Sequence, residues 1–213
     1  MSVSLDELTQ RRPYNAAADF VDANVAAGRA GKAAFIDPTR SLSYGALQEA
    51  TCRFARGLQQ LGLRAESRVL LLMLDTVDYP VAFWAALRAG IVPIPLNTLL
   101  TPEQYAYIFA DSRAEAIVVS APLLALIEPV LARLEGLRTL IVAGADGALP
   151  QTCASRPCQA FESVAASGAA DVWTAPTVSD EVAFWLYSSG STGEPKGTRH
   201  IQSSLIATAR LYG

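Results

Sequence analysis

Val69-Leu70-Leu71-Leu72-Met73-Leu74 sets six apolar residues in a row, so neither face of that segment can be left to water. Side chains alternate between the two faces of a strand, and such a run fits a strand covered on both sides. Ile91 to Leu96, Ala116-Ile117-Val118-Val119 and Thr139-Leu140-Ile141-Val142 have the same character, and Ala33 to Asp37 reads as a shorter strand. Helical stretches lie between them. From Ser43 onward, Leu47, Ala50, Phe54, Leu58 and Leu61 fall three and four apart on one face, and Gly62 stops the helix. Tyr79 to Ala89 follows, with Pro80 in its first turn and Gly90 past its end. Thr101-Pro102-Glu103-Gln104 combines an N-cap, a proline at N1 and a glutamine at N3. Leu123 to Leu134 forms a further helical stretch. The rhythm predicts an α/β fold: a layered, mostly parallel sheet flanked by helices, with right-handed crossovers and Val69–Leu74 among its central strands. From Gly144 to Pro176 the chain turns to Gly, Ala, Ser and Pro and reads as a surface excursion, with one short helix around Phe161 to Ala166. It re-enters the core at Val182.

At 213 residues the chain has room for one α/β domain or one lobe of a larger one. A hydrophobic share of 51% and a mean hydropathy of +0.25 exclude disorder. A net charge of −3 without a basic cluster gives no reason to expect nucleic acid. Arg11-Arg12 is not followed by an apolar run, so no secretory or twin-arginine signal is expected. Val81 to Leu96 is interrupted by Arg88 and two prolines, which argues against a membrane span. Cys52 reads as a small core residue. Cys153 and Cys158 lack the partners a zinc site needs, and a reduced, cytoplasmic setting is expected.

The chemistry is concentrated in Trp185-Leu186-Tyr187-Ser188-Ser189-Gly190-Ser191-Thr192-Gly193-Glu194-Pro195-Lys196-Gly197. The apolar stretch Val182 to Leu186 reads as a buried strand, and the segment after it as the loop leaving its end. Glycines let backbone N–H groups approach an anion, hydroxyls add donors, and Lys196 adds a mobile charge. A polyphosphate suits this composition best. A Walker A loop is excluded, because Glu194 and Pro195 separate Gly193 from Lys196 and Gly197 follows the lysine. No G-x-G-x-x-G follows an expected strand. A flexible Ser/Gly linker fits poorly with Pro-Lys-Gly directly after a buried strand. With three glycines and few apolar contacts, Ser188 to Gly197 is expected to be poorly ordered without nucleotide.

Tyr187 to Gly197 resembles the phosphate-binding signature of the acyl-adenylate-forming enzymes, which include acyl-CoA synthetases, adenylation domains and luciferases. Pro80-Val81-Ala82-Phe83-Trp84, the segment from Gly90 to Pro102 and Tyr105-Ala106-Tyr107 are similar to benzoate–CoA ligase and its aryl relatives. Tyr14-Asn15-Ala16-Ala17 and Ala209-Arg210-Leu211-Tyr212-Gly213 fit the same group. The resemblance runs from about Tyr14 to Gly213. It implies that residues 1–213 are the N-terminal portion of the large, AMP-binding domain, without its remainder or the C-terminal lid. It further implies a two-step reaction on an aromatic carboxylic acid. The acid attacks the α-phosphate of ATP to give an acyl-adenylate and pyrophosphate, and CoA thiol then displaces AMP. Carried over by position, Ser188, Ser189, Gly190, Ser191, Thr192, Gly193 and Lys196 hold the β- and γ-phosphates, with Mg²⁺ sharing the charge of departing pyrophosphate. The adenylation lysine is expected beyond Gly213, so no catalytic residue is assigned here and the isolated chain is expected to be inactive. A homodimer of the parent stays open.

Glu194 fills a variable slot of the signature and is expected to face solvent; Pro195 stiffens the loop exit. His200, the sole histidine, matches a histidine common in the aryl ligases and is expected to pack or hydrogen-bond, since no acid or nucleophile accompanies it. Gln202 stands where many relatives carry a second histidine, and Thr198-Arg199 where small apolar residues are frequent. Phe83, Trp84, Tyr105 and Tyr107 have helical spacing and read as core. Asp75 and Asp78 read as a strand-to-helix turn and cap. Two other functions compete with the ligase. One is a non-catalytic nucleotide- or protein-binding module that keeps the loop. The other, a phosphotransferase, is disfavoured because no accompanying catalytic Asp/Asn set is found.

Overall fold

The computed structural model describes residues 10–145, 149, 152–153, 156–188 and 194–212. After helical turns at Ala18–Asp22 and Val25–Arg29, a small antiparallel hairpin pairs β1 (Ala33–Ile36) with β2 (Ser41–Ser43). Ser43 then caps α1 (Tyr44–Gln60), its hydroxyl accepting from the Ala46 amide at 3.2 Å. The main sheet begins with β3 (Arg68–Leu72), followed by α2 (Asp78–Arg88) and β4 (Val92–Pro95). Next come α3 (Pro102–Ser112), β5 (Ala116–Ser120), α4 (Leu124–Leu131) and β6 (Thr139–Ala143). Short β7 (Thr152–Cys153) and β8 (Arg156–Ala160) lead into α5 (Phe161–Ser167). The described part ends with β9 (Val182–Ser188), β10 (Lys196–Ile201) and α6 (Gln202–Tyr212).

The six-stranded sheet has the order β4-β3-β5-β6-β8-β7 and is parallel except for the β7–β8 pair. β3 is bonded on both sides, as the two-faced apolar run requires. Alternation along the strands divides the core into two layers. Val69, Leu71, Ala116, Val118 and Ile141 pack with α1, α2 and α5, whereas Leu70, Leu72, Ile117, Val119 and Val142 pack with α3 and α4. Each fully buried aliphatic side chain contributes on the order of 1.5–3 kcal/mol, so this double coverage is the main source of stability. α1 presents the expected face and crosses α5 closely at Gly57. A Cβ there would stand 2.1 Å from the Val164 carbonyl oxygen. The Thr101 capping box forms in full with Gln104, and Gly62 and Gly90 take φ of +83° and +70° beyond α1 and α2.

The region from Gly144 to Pro176 is more than the expected surface excursion. β8 lies within it and joins the main sheet beside β6, with Cys158 buried. Its neighbours Arg156, Pro157 and Gln159 carry no apolar pattern, so pairing with an existing sheet edge decides its conformation. Val182–Leu186 also differs from the expected buried strand. Only Ala183 and Phe184 are buried, and β9 pairs antiparallel with β10, outside the main sheet although packed beside β4.

The amino-terminal segment is sewn to this second region. Tyr14 N–H donates to the Thr177 carbonyl at 2.9 Å, and the Thr177 hydroxyl donates to the Tyr14 carbonyl at 2.7 Å. Asn15 donates to the Leu87 carbonyl, and Ala16 N–H donates to Gln202 Oε1 at 2.9 Å. Arg88, fully buried, makes a forked ion pair with Asp22 at 2.6 and 3.1 Å and donates to the Trp173 carbonyl at 2.8 Å. α2, the early helical turns and the segment before β9 are thereby joined through one guanidinium.

Candidate phosphate-binding site

The hydroxyl- and glycine-rich segment closes the β9–β10 hairpin. The register sets Lys196 opposite Ser188, Gly197 opposite Tyr187 and Thr198 opposite Leu186. Directly opposed residues of an antiparallel pair project to the same face, so the Ser188 hydroxyl and the Lys196 ammonium share one end of the hairpin. Both residues are exposed. Ser189, Gly190, Ser191, Thr192 and Gly193, the rest of the expected phosphate-binding set, lie outside the described residues, as does most of the segment expected to be poorly ordered. At its ends that expectation is corrected: Ser188, Lys196 and Gly197 belong to paired strands, because the antiparallel ladder satisfies their backbone groups.

Gly197 is required by packing. A Cβ there would meet the Tyr187 ring at 3.0 Å and the Trp185 ring at 3.3 Å. The Tyr187 phenol donates to the Asp111 carboxylate on α3. Burial first, and then that bond, push the Tyr187 phenol above its ordinary pKa. One turn earlier on α3 stands Tyr107, half-buried. Desolvation, followed by the charges of Glu194 and Asp111, raises the Tyr107 pKa as well. Glu194 is exposed, as the sequence had suggested. Pro195 is buried behind it. With Leu96, Gln104, Ile108 and Tyr187, it lines a cavity of about 280 Å³ between the hairpin and α3.

The carboxyl ends of β3 and β4 open on the same side of α3. Leu74, Asp75, Tyr79, Leu96 and Asn97 line a cleft of about 260 Å³ there, where open parallel sheets commonly receive ligands. Beside it, Phe35, Ile36, Tyr79, Phe83 and Trp84 bound a mostly apolar cleft of about 360 Å³. Phe83 and Trp84 are thus half-buried and not wholly core, while Tyr105 is buried and donates to the Asn97 carbonyl. Asp78 lies in the first turn of α2 and pairs with Arg40 at 2.7 Å, whereas Val77 holds the N-cap position with no side-chain bond, so the expected cap is replaced by an ion pair. Among the described residues, no group of three or more His, Cys, Asp or Glu side chains is placed to hold a metal ion.

His200 lies flat against Phe184, with ring centroids 4.5 Å apart and planes 3° from parallel, so it packs as expected. Gln202 is buried. Its backbone N–H donates to the Glu181 carbonyl while its side chain accepts from Ala16, a role an amide fills without titrating. Cys153 and Cys158 are free thiols, and burial, followed by the neighbouring Cys153, pushes the Cys158 thiol up to about 12. The Cys158 thiol is therefore not poised as a nucleophile. Asp111 went unmarked in the sequence, and Tyr107, read there as core, is only half-buried. The available signal was the spacing of Gln104, Tyr107 and Asp111, which sets polar groups along one face of α3.

Residues 22–213 match the AMP-binding enzyme family. Over 202 residues the chain is 48% identical to the 4-hydroxybenzoate–CoA/benzoate–CoA ligase of Rhodopseudomonas palustris, covering 95% of this chain and 36% of that protein. It is 44% identical to the benzoate–CoA ligase of Thauera aromatica, covering 93% and 36% respectively. Among solved structures it is similar to a benzoate CoA ligase from Burkholderia xenovorans LB400, with 42% identity and a TM-score of 0.78 over 93% of this chain and 37% of that one. An anthranilate CoA ligase in complex with anthranoyl-AMP superposes with a TM-score of 0.86 at 28% identity, over 94% and 37%. The chain spans a little over a third of the length of these relatives. With the match running from the early helical turns through the glycine- and hydroxyl-rich hairpin to the final residue, the chain belongs to the AMP-binding enzyme family.

Proposed function

We propose that this chain supplies the ATP-phosphate-binding part of an aryl-carboxylate–CoA ligase. The overall reaction joins benzoate or a substituted benzoate to CoA through an acyl-adenylate and releases AMP and pyrophosphate. A carboxylate is a poor electrophile because its leaving group would be oxide; adenylation replaces that leaving group with a phosphate monoester. The protein's task in the first step is to hold the triphosphate in line and to stabilise charge on departing pyrophosphate. The observation that carries this reading is the hairpin register, which brings Lys196 and Ser188 to the two ends of one hydroxyl-rich loop. Ser189, Gly190, Ser191, Thr192 and Gly193 complete the donor set by sequence. The similarity to benzoate- and hydroxybenzoate–CoA ligases supports an aromatic acid as substrate. Mg²⁺ would be shared with the phosphate oxygens, and a cytoplasmic location accords with the absence, among the described residues, of any helix long and apolar enough to cross a membrane.

The test is benzoate-dependent exchange of labelled pyrophosphate into ATP by the full-length protein carrying this chain, together with CoA-dependent thioester formation. Both reactions are expected for benzoate or a hydroxybenzoate. The 213-residue chain alone is expected to support neither. Absence of exchange with every aromatic acid, in a folded full-length protein that still binds MgATP, would favour the non-catalytic binding module.

A further inference from the structure

We propose that the cleft between the β1–β2 hairpin and α2 is a binding site for a small organic ammonium ion, with Phe35, Tyr79, Phe83 and Trp84 as its aromatic walls and Asp75 as its counter-charge. The cleft has a volume of about 360 Å³, within the range of about 300–1,000 Å³ usual for small-molecule sites. The faces of aromatic rings carry partial negative charge, and a cation set among several of them is attracted by each. No Lys, Arg or His is among the lining residues, so no side-chain cation repels such a ligand or holds an anion such as benzoate there. Asp75 is the sole acid of the lining. It is exposed, and among the described residues it takes part in no ion pair or side-chain hydrogen bond.

The walls of the cleft are held in place. Tyr79 and Phe83 stand four residues apart on α2 and so share one face of it. Trp84 stacks on Phe20, with centroids 5.4 Å and planes 19° apart, and meets Phe83 edge-on at 5.4 Å and 85°. Phe83 in turn meets Phe184 at 5.6 Å. The opposite wall, the hairpin carrying Phe35, is tied twice to the start of α2. Val77 N–H donates to Asp37 Oδ2 at 3.0 Å, and Arg40 pairs with Asp78 at 2.7 Å. The same ties settle the charges at the helix start. Asp37 occupies an amide that would otherwise draw an anion, and Arg40 is engaged by Asp37 and Asp78, which leaves Asp75 to a ligand. At the mouth of the cleft Phe35 is 38% exposed and Ile36 76%, so packing within the chain does not account for the large apolar groups at this lip.

The experiment uses the full-length protein and two probes: choline, and the neutral isostere of choline in which carbon replaces the ammonium nitrogen. Titration calorimetry at low salt measures both against the wild type, Asp75→Asn and Phe35→Leu. Choline is expected to bind the wild type at least about tenfold more tightly than the isostere, because only the cation is drawn to the ring faces and the carboxylate. Asp75→Asn is expected to weaken choline about threefold to tenfold and to leave the isostere within about twofold. Phe35→Leu, which keeps apolar bulk but removes the ring, is expected to have the same selective effect. Should Phe35→Leu fail to fold, Asp75→Asn, at an exposed position, decides alone. Saturating benzoate is expected to change the affinity for choline by less than about twofold. Equal affinity for choline and its isostere would show a merely apolar cleft and overturn the proposal. So would no binding of choline by the wild type, binding that either folded variant leaves unchanged, or displacement of choline by benzoate. Each of these results can be read whether or not the protein catalyses ATP–pyrophosphate exchange, so a failure here is separate from a failure of the ligase reading.

Discussion

Replacing Asp22 by alanine should be among the most damaging single substitutions outside the phosphate site. Arg88 is fully buried, and its charge is balanced by the two-pronged contact with Asp22 at 2.6 and 3.1 Å. Nε of Arg88 already has no hydrogen-bond partner, and the Trp173 carbonyl takes only one of the remaining donors. Deleting the carboxylate leaves a buried cation with one neutral acceptor. Breaking a buried pair from one side costs about 3–5 kcal/mol, out of a total stability of roughly 5–15 kcal/mol. For a protein of this size, that corresponds to a fall in Tm of about 6–20 °C. The same principle predicts that Asp22→Leu combined with Arg88→Met is far milder than Asp22→Ala, because no charge remains to be solvated. Urea denaturation of the three proteins, with the slope checked for constancy, measures the differences. A loss below about 1 kcal/mol for Asp22→Ala would mean that the guanidinium is hydrated or re-paired, and the argument from burial would be wrong.

Lys196→Ala in the full-length protein should slow acid-dependent ATP–pyrophosphate exchange by about 30- to 1000-fold, equivalent to 2–4 kcal/mol of transition-state stabilisation, and leave the dissociation constant of benzoate-type acids nearly unchanged. A defect confined to acid binding would show the lysine at a different task. Gly57→Ala should destabilise the fold by more than about 3 kcal/mol, because the new Cβ meets backbone at 2.1 Å where α1 crosses α5; a change in denaturation midpoint within error would refute that contact. Asp37 accepts from the backbone N–H groups of Val77, Thr39 and Arg40, and these bonds, that from Val77 foremost, hold its carboxyl well below the usual carboxylate range. Its stabilising effect should therefore be complete above the unfolded-state value of about 4 and be lost progressively as pH falls toward the lowered folded value. Asp37→Asn should flatten stability against pH over that acidic range, and an unchanged slope would argue against the carboxylate.

The central sheet was legible because its strands are covered on both faces, and continuous apolar runs such as Val69–Leu74 have few other uses. Caps were equally legible, since Ser43 and Thr101 each act on an amide three residues away. What escaped notice depends on partners far along the chain. β8 is a strand because β6 offers it an edge, and its own residues carry little signal. β10, Lys196–Ile201, is polar and mostly exposed, and becomes a strand only by pairing with β9. Arg88 read as an interruption of an apolar stretch; its meaning depends on Asp22, 66 residues earlier. Within the candidate site, composition marked the loop proposed to bind phosphate, whereas the bond from Tyr187 to Asp111 spans 76 residues and leaves no local pattern.

The bond from Ala16 to Gln202 bears on how the chain is made. Its two ends are 186 residues apart, and Gln202 is a late arrival at the ribosome. At about 5–20 residues per second, roughly 10–40 s separate their synthesis. For most of that interval Ala16 and Ala17 lack Ala183 and Phe184, the later members of the small cluster they share with Leu87. The parallel sheet can assemble strand by strand as it emerges, but the amino-terminal segment must wait. Until the hairpin follows, this end of the nascent chain carries uncovered apolar surface and unpaired amides, which makes it a natural point of chaperone engagement during synthesis.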